Sequence, residues 1–364
     1  MARSGLPQDG QPQDGLLAVA VPRPAASPAV LSEAWRVRLT VYEFSSATAG
    51  SRPGTTIVFS NGNALPLLAN MTGLVHSDLE LARRESPGVP DAELVVALAQ
   101  RAVADLGMAP PVSAVLMASM RGVSRVEEAD MPWAGCLMAD DGELVIRLRA
   151  SDVPGRKRFS AFHEIMHTFM PGFAVVPQYR CDPQFPGDGQ EPSSKPAVEE
   201  LCDLGAAEML LPRAEFLADM AGSAPTISLA SKLAVRYAAS LEASARRVVD
   251  LHHRPAMLIV LEVAPKPSAP RAEPRLRVQL VHANGGWPFI PRHKSVPQGS
   301  PLASPLAGEP VNSTCTLEGI ADRPLQDVHV SAVFAPYTDR TSVEHARVVA
   351  MISRPGREGR GHGG

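Results

Sequence analysis

Cysteine is scarce here and badly spaced for either of its usual structural jobs. The 364-residue chain has four, Cys136, Cys181, Cys202 and Cys315, with no Cys-x-x-Cys pair among them. That excludes a ribbon-type zinc site and offers no disulfide framework, so reduced thiols in a cytoplasmic protein are the simplest expectation. Long apolar runs are lacking too: the longest, Ala256 to Val260 with its flanks, is far too short to span a membrane. The first thirty residues are rich in Pro, Ala, Gln and Gly and lack the apolar stretch of a signal peptide. They read as a disordered tail, and residues 354–364 as a second flexible one. Nor is there an excess of charge of one sign. A formal net charge of −3 leaves no broad basic footprint, which argues against nucleic acid as the main partner. Hydrophobic residues at 45% and charged residues at 20% are ordinary for a globular protein, and the length allows two or three units with a proper core.

What the chain does contain is His163-Glu164-Ile165-Met166-His167. On a helix, positions i and i+4 lie on one face a turn apart, so both imidazoles can reach a single ion. Glu164 can aim a carboxylate at a water on that ion, where a general base must sit. The preceding Arg158 to Phe162 reads as a helix entry, and Pro171-Gly172 as a stop. A catalytic zinc needs a third protein ligand and one open position. The stretch from Pro196 to Pro212 supplies carboxylates on a second predicted helix, with Pro near its first turn and acidic residues at its positive end. Leu201, Leu204, Gly205 and Glu208 share one face of it, and Cys202 reads as a small packing residue rather than a ligand. Glu199 and Asp203 are four apart, which suits a division in which Glu199 binds the metal and Asp203 accepts a hydrogen bond from a ligand imidazole. Glu200 competes with Glu199 for the ligand role.

The block Arg158 to His167, followed by Glu199 to Pro212, resembles the ImmA/IrrE metallopeptidase family. That family reads Arg-Phe-Thr/Ser-x-x-His-Glu-x-x-His, then a helix close to Glu-x-x-Ala-Asn-x-Phe-Ala-Ala-x-Leu-Leu-Met-Pro. In register, the family's Asn falls on Asp203, its small pair on Ala206-Ala207, and its acidic ligand on Glu199. Asp203 in place of Asn and Gly205 in place of a bulkier residue are departures that remove no ligand. The resemblance implies Zn2+, or Mn2+ in its stead, as cofactor, held by His163, His167 and Glu199.

The elements around this block fit the resemblance. Apolar positions at helical spacing predict a helix over Ala92 to Leu106 and another over Val112 to Met120, similar to the helix pair that opens the family's peptidase domain. Glu143 to Arg149 reads as a strand after an Asp141-Gly142 turn, with Trp133 to Met138 as partner. The resemblance implies for it the role of the strand that, in zincin-like peptidases, lies next to the zinc helix and pairs with the substrate backbone, the plain alternative being an internal strand. Ser228 to Leu251 reads as helix, turn, helix, in the manner of the family's helix-turn-helix-like segment. Its second helix opens Leu241-Glu242-Ala243-Ser244, a poor start for reading base edges, so packing against the peptidase core is the expected role. A hairpin is predicted within residues 35–60, and strands over 256–263, 276–281, 328–334 and 347–352. These last resemble the GAF-like regulatory region of some family members.

The expected fold is α+β: a zincin-like metallopeptidase core with a helix-turn-helix-like segment and a small β-containing C-terminal domain. The expected organisation is a tail at 1–30, an extension at 31–85, a peptidase domain at 86–222, the helical segment at 223–254, the mixed C-terminal domain at 255–353 and the tail at 354–364. The expected function is that of a zinc-dependent endopeptidase. In it Glu164 moves the proton, and the partner is a protein substrate, by family habit a repressor-type regulator of a phage, mobile element or stress response. A regulatory or DNA-binding scaffold with structural zinc is the alternative, and a metal hydrolase acting on other bonds is a third. For the oxyanion donor Tyr179, Tyr237 and His252-His253 are the candidates, with no choice among them.

Overall fold

The computed structural model describes residues 77–171, 178–180, 197–338 and 343–354, all within the unit that begins at Leu74. The hairpin expected within 35–60, Cys181, the N-terminal tail and all but Arg354 of the C-terminal one lie outside the described residues.

Ser77 opens α1 (Asp78–Glu85) with a capping box: its Oγ accepts from Glu80 N at 3.2 Å, and Glu80 Oε2 accepts from Ser77 N at 2.8 Å. Leu79 buries its side chain fully, and its N–H bonds the carbonyl of Phe169, two residues beyond the helix that ends at His167, so residues ahead of 86 take part in the core. Helix α2 (Asp91–Leu106) follows the predicted apolar spacing and ends at Gly107, which takes the left-handed conformation, φ 63°, that glycine accepts most readily. A short α3 (Ala114–Met120) leads into a four-stranded sheet. Its members are β1 (Val123–Ala129), β2 (Gly135–Asp140), β3 (Glu143–Arg149) and β4 (Gln178–Arg180), in the spatial order β1-β3-β2-β4. The β2–β3 hairpin turns at Asp141 and Gly142, both with positive φ, as an Asp-Gly turn requires.

Strand β3 is internal. It pairs in parallel with β1 and antiparallel with β2, so neither of its edges is open to a substrate backbone, and the expected substrate-pairing role is corrected. The alternating arginines that suggest an exposed face separate: Arg147 joins Glu127 and Asp140 on the outer surface, while Arg149 is buried against Asp152 and the carbonyl of Pro132.

Helix α4 (Pro154–His167) starts a turn earlier than its expected entry, with Pro154 in the first turn, and packs on both β2 and β3. Against it lies α5 (Ala197–Leu210). Gly205 lets the two approach closely, for a Cβ there would meet Met166 Sδ at 2.6 Å. The buried side of α5 is Cys202, Gly205, Ala206, Glu208 and Met209, while Leu204 is 43% exposed. The leucine-bearing face read from the sequence is therefore rotated, because small residues rather than large ones make this helix contact.

Helix α6 (Arg213–Met220) precedes the helical pair α7 (Ile227–Tyr237) and α8 (Leu241–Leu251), capped by Thr226 and Ser240. The pair buries Ile227, Leu233, Tyr237, Ala245, Val248 and Val249 in the same apolar core as α2, α4 and α5. Its arginines already face carboxylates: Arg236 meets Asp219, Arg246 meets Glu242, and Arg247 meets Glu208.

The C-terminal sheet contains β5 (Ala256–Ala264), β6 (Arg275–Ala283), β8 (Leu325–Phe334) and β11 (Arg347–Ser353), which match the predicted strands, and β7 (Val311–Leu317), which is additional. It is antiparallel throughout, in the order β6-β5-β11-β8-β7. Two short strands, β9 (Tyr337–Thr338) and β10 (Glu344–His345), form a separate small ribbon. Side chains alternate along β5 and β11. Ala256, Leu258, Val260, Val349 and Met351 enter the helical core, whereas Met257, Ile259, Leu261, Val348, Ala350 and Ile352 enter a second core behind the sheet. Burial on both faces is why this run is continuously apolar rather than alternating. The architecture is α+β.

Candidate metal centre

The pairing of α4 with α5 builds the site. The last two turns of α4 are buried, with His163 6% exposed and Glu164 and His167 fully enclosed. The first turns of α5 bring Glu199, Cys202 and Asp203 opposite them. His163 Nε2 lies 3.1 Å from Glu199 Oε2, and His167 Nε2 lies 3.6 Å from Glu199 Oε1. One donor atom from each of His163, His167 and Glu199 can be chosen so that all lie within 4.8 Å of one another. Tetrahedral zinc with ligands near 2.0 Å requires neighbouring donors about 3.3 Å apart, and each imidazole lies near that distance from one or the other oxygen of Glu199. The donor set of two imidazoles and one carboxylate is also that of a zinc site, so the residues present fit the ion. Glu200 is exposed on α5, outside this cluster.

Each imidazole is held from behind. Asp203 Oδ1 stands 2.9 Å from His163 Nδ1. His167 has an analogous contact that sequence reasoning missed: Cys202 Sγ lies 3.5 Å from His167 Nδ1. The sequence makes Cys202 a packing residue only; in the structure it packs and also touches the His167 ring. Both Nδ1 atoms being engaged, the Nε2 atoms are turned toward Glu199.

The electrostatics of the cluster are set by burial and by the mutual contacts of its members. Burial lowers the pKa of His163, but the hydrogen bonds to Asp203 and Glu199 outweigh it and raise the value to about 9. Burial takes His167 down to about 4, helped by the charge on His163. Burial also opposes ionisation of Glu199, yet its bond to His163 and the charges of both histidines hold its pKa below the usual carboxylate value. A metal ion that binds here must displace a proton from His163. Burial keeps Cys202 a thiol, its pKa pushed well up.

Glu164 occupies the space between α4 and β2, with its Oε1 close over the backbone of Gly135. No sequence signal marks Gly135 for this place. Of the candidate oxyanion donors, Tyr237 is buried in the core and its hydroxyl donates to Asp219 at 2.8 Å. His252 closes the end of α8 and bonds the carbonyl of Ser223 at 3.0 Å. Both are engaged in structural bonds; the side chain of Tyr179 lies outside the described residues.

Residues 126–249 match the family model Peptidase_M78, described as an IrrE N-terminal-like domain. This span includes the sheet strands β2 and β3, helices α4 to α7 and nearly all of α8. A solved structure titled as a Mycobacterium tuberculosis transcriptional regulator is similar at 13% identity, covering 76% of this chain and 80% of that one, with a TM-score of 0.44. No curated protein matches the chain.

Proposed function

We propose, for a chain whose residues 126–249 belong to the ImmA/IrrE family, the function of a zinc-dependent endopeptidase that makes limited cuts in a regulator protein. The observation that supports this best is the convergence of His163, His167 and Glu199 with Glu164 beside them on α4. Three of the described residues would hold the ion, the number of protein ligands that a catalytic zinc takes where a structural one takes four. Zinc, when bound, supplies Lewis acidity toward a water and the scissile carbonyl.

The chain's own residues do the rest. His163, His167 and Glu199 would hold the ion, and Asp203 and Cys202 contact the Nδ1 atoms of the two rings and so fix their orientation. Glu164 takes the proton from the attacking water onto its carboxylate and returns it to the leaving amine. Enclosure of Glu164 keeps bulk water from competing for that proton. The family resemblance makes a cytoplasmic repressor-type regulator the proposed substrate. The paired arginines of α7 and α8 give DNA little free positive charge, so nucleic acid is not the favoured partner.

The test is incubation of the zinc-loaded protein with helix-turn-helix repressor proteins and with a library of unstructured peptides, read by mass spectrometry. Discrete cuts that a chelator abolishes and added zinc restores are expected. Intact substrates throughout, from protein carrying its zinc, would contradict the reading.

A further inference from the structure

A glycine is required by its backbone where φ is positive, and most described glycines of this chain with that geometry sit in turns. Gly135 is different. It is the first residue of β2 and has no positive φ, so its backbone conformation does not itself call for glycine. A glycine in a strand often marks a close approach by another group. The approaching group is Glu164. A Cβ on Gly135 would stand 2.8 Å from Glu164 Oε1, 3.2 Å from its Cγ and 3.4 Å from its Cδ, the first shorter than real Cβ contacts. The carboxylate cannot yield easily, since Glu164 is fully enclosed between α4 and β2. Gly155 and Gly205 also lack room for a side chain. Their obstructions are the backbone at Ala239 and Ser240 in the first case and Met166 in the second, neither an ionisable group.

We propose that Gly135 is the positioning residue for Glu164: the missing side chain is the seat that lets the carboxylate stand where it moves the proton. The inference rests on the peptidase reading. It makes position 135 a determinant of turnover, though Gly135 carries no reactive atom and touches no metal ligand. With a methyl group at 135, the carboxylate swings off its line to the water while His163, His167 and Glu199 stay in place on their own helices.

The experiment is Gly135→Ala in the zinc-loaded full chain, beside wild type, Glu164→Ala and the double variant. Expected is a kcat at least about tenfold lower with KM within about twofold, as misplacing a reacting group does. Zinc content should equal wild type, and the visible spectrum of the cobalt-substituted protein should be unchanged, because all three ligands remain. Thermal stability adds a readout independent of activity. Gly135→Ala should lower Tm with Glu164 present and leave it unchanged or raised in the Glu164→Ala background, where the methyl group fills the vacated space. An active wild type whose Gly135→Ala variant keeps kcat within twofold would overturn the proposal, as would an equal Tm effect in both backgrounds. Should Gly135→Ala alone fail to fold, the double variant decides: failure to fold there too overturns the proposal. A zinc-loaded wild type with no hydrolysis on any substrate is a separate outcome, which removes the peptidase reading while the Tm comparison still reports whether Glu164 is the obstruction.

Discussion

Replacing Glu164 by alanine is expected to lower peptide hydrolysis by about 10²- to 10⁴-fold, the usual contribution of a positioned proton carrier, with zinc still bound. Glu164 is not part of the cluster formed by His163, His167 and Glu199, so its loss leaves every ligand atom in place. The side chain is fully enclosed, and truncating it opens a space beside β2 rather than at the α4–α5 contact where His163, His167 and Glu199 meet. Zinc content by elemental analysis and single-turnover cleavage, measured on the same preparation, separate the two effects. A variant that keeps activity within about tenfold of wild type would remove Glu164 from the reaction. Loss of zinc together with activity would make it a structural residue. A scaffold or DNA-binding role would persist in this variant, which is what distinguishes the two classes of function.

The second large effect is on stability. Glu208 is 2% exposed, and its carboxylate joins three helices to α5. Oε1 accepts from Arg213 N at 2.8 Å and from Gln100 Nε2 at 3.1 Å, and Oε2 meets the guanidinium of Arg247. The first of these bonds caps α6, whose N-terminal flank Pro212 offers no side-chain cap. Arg247, itself mostly buried on α8, also donates to the carbonyl of Leu211 at 3.1 Å. Glu208→Ala strands the arginine and an amide in the core, a change that costs about 3–5 kcal/mol in comparable buried pairs. For a unit of this size that corresponds to a Tm lower by about 10 °C. Glu208→Leu combined with Arg247→Met should recover much of the loss, because an apolar pair of similar volume does not bury unpaired charge. Calorimetry on the three proteins checks this. An unchanged Tm in Glu208→Ala would show that the network carries no stability.

Much of the site was legible because its parts are local. His163, Glu164 and His167 lie within one turn and a half of helix, and period 3.6 alone puts the imidazoles together. Glu199 and Asp203 were readable for the same reason, whereas Glu199 against Glu200 was not: both sit in the first turn, and which faces α4 depends on how α5 is rotated. That rotation is set by Gly205 and Ala206 at the contact, so the leucines misdirected the reading. Gly135 and Cys202 could not be read, since their roles exist only once β2 and α5 lie against α4. Among strands, β5 and β11 announced themselves through apolar runs buried on both faces. Strands β1 and β7 are rich in charged or polar residues and largely exposed, so no apolar alternation marked them. Helix α1 did carry a signal, Ser77-Asp78-Leu79-Glu80, whose capping-box spacing would have placed it.

The central claim is a zinc ion held by His163, His167 and Glu199, and elemental analysis of purified wild type beside Glu199→Ala and Glu200→Ala tests it most directly. The account predicts close to one zinc per chain in wild type and in Glu200→Ala, and loss of zinc in Glu199→Ala. Wild type that takes up neither zinc nor manganese when these are supplied, or a Glu199→Ala variant that binds zinc as wild type does, would contradict it.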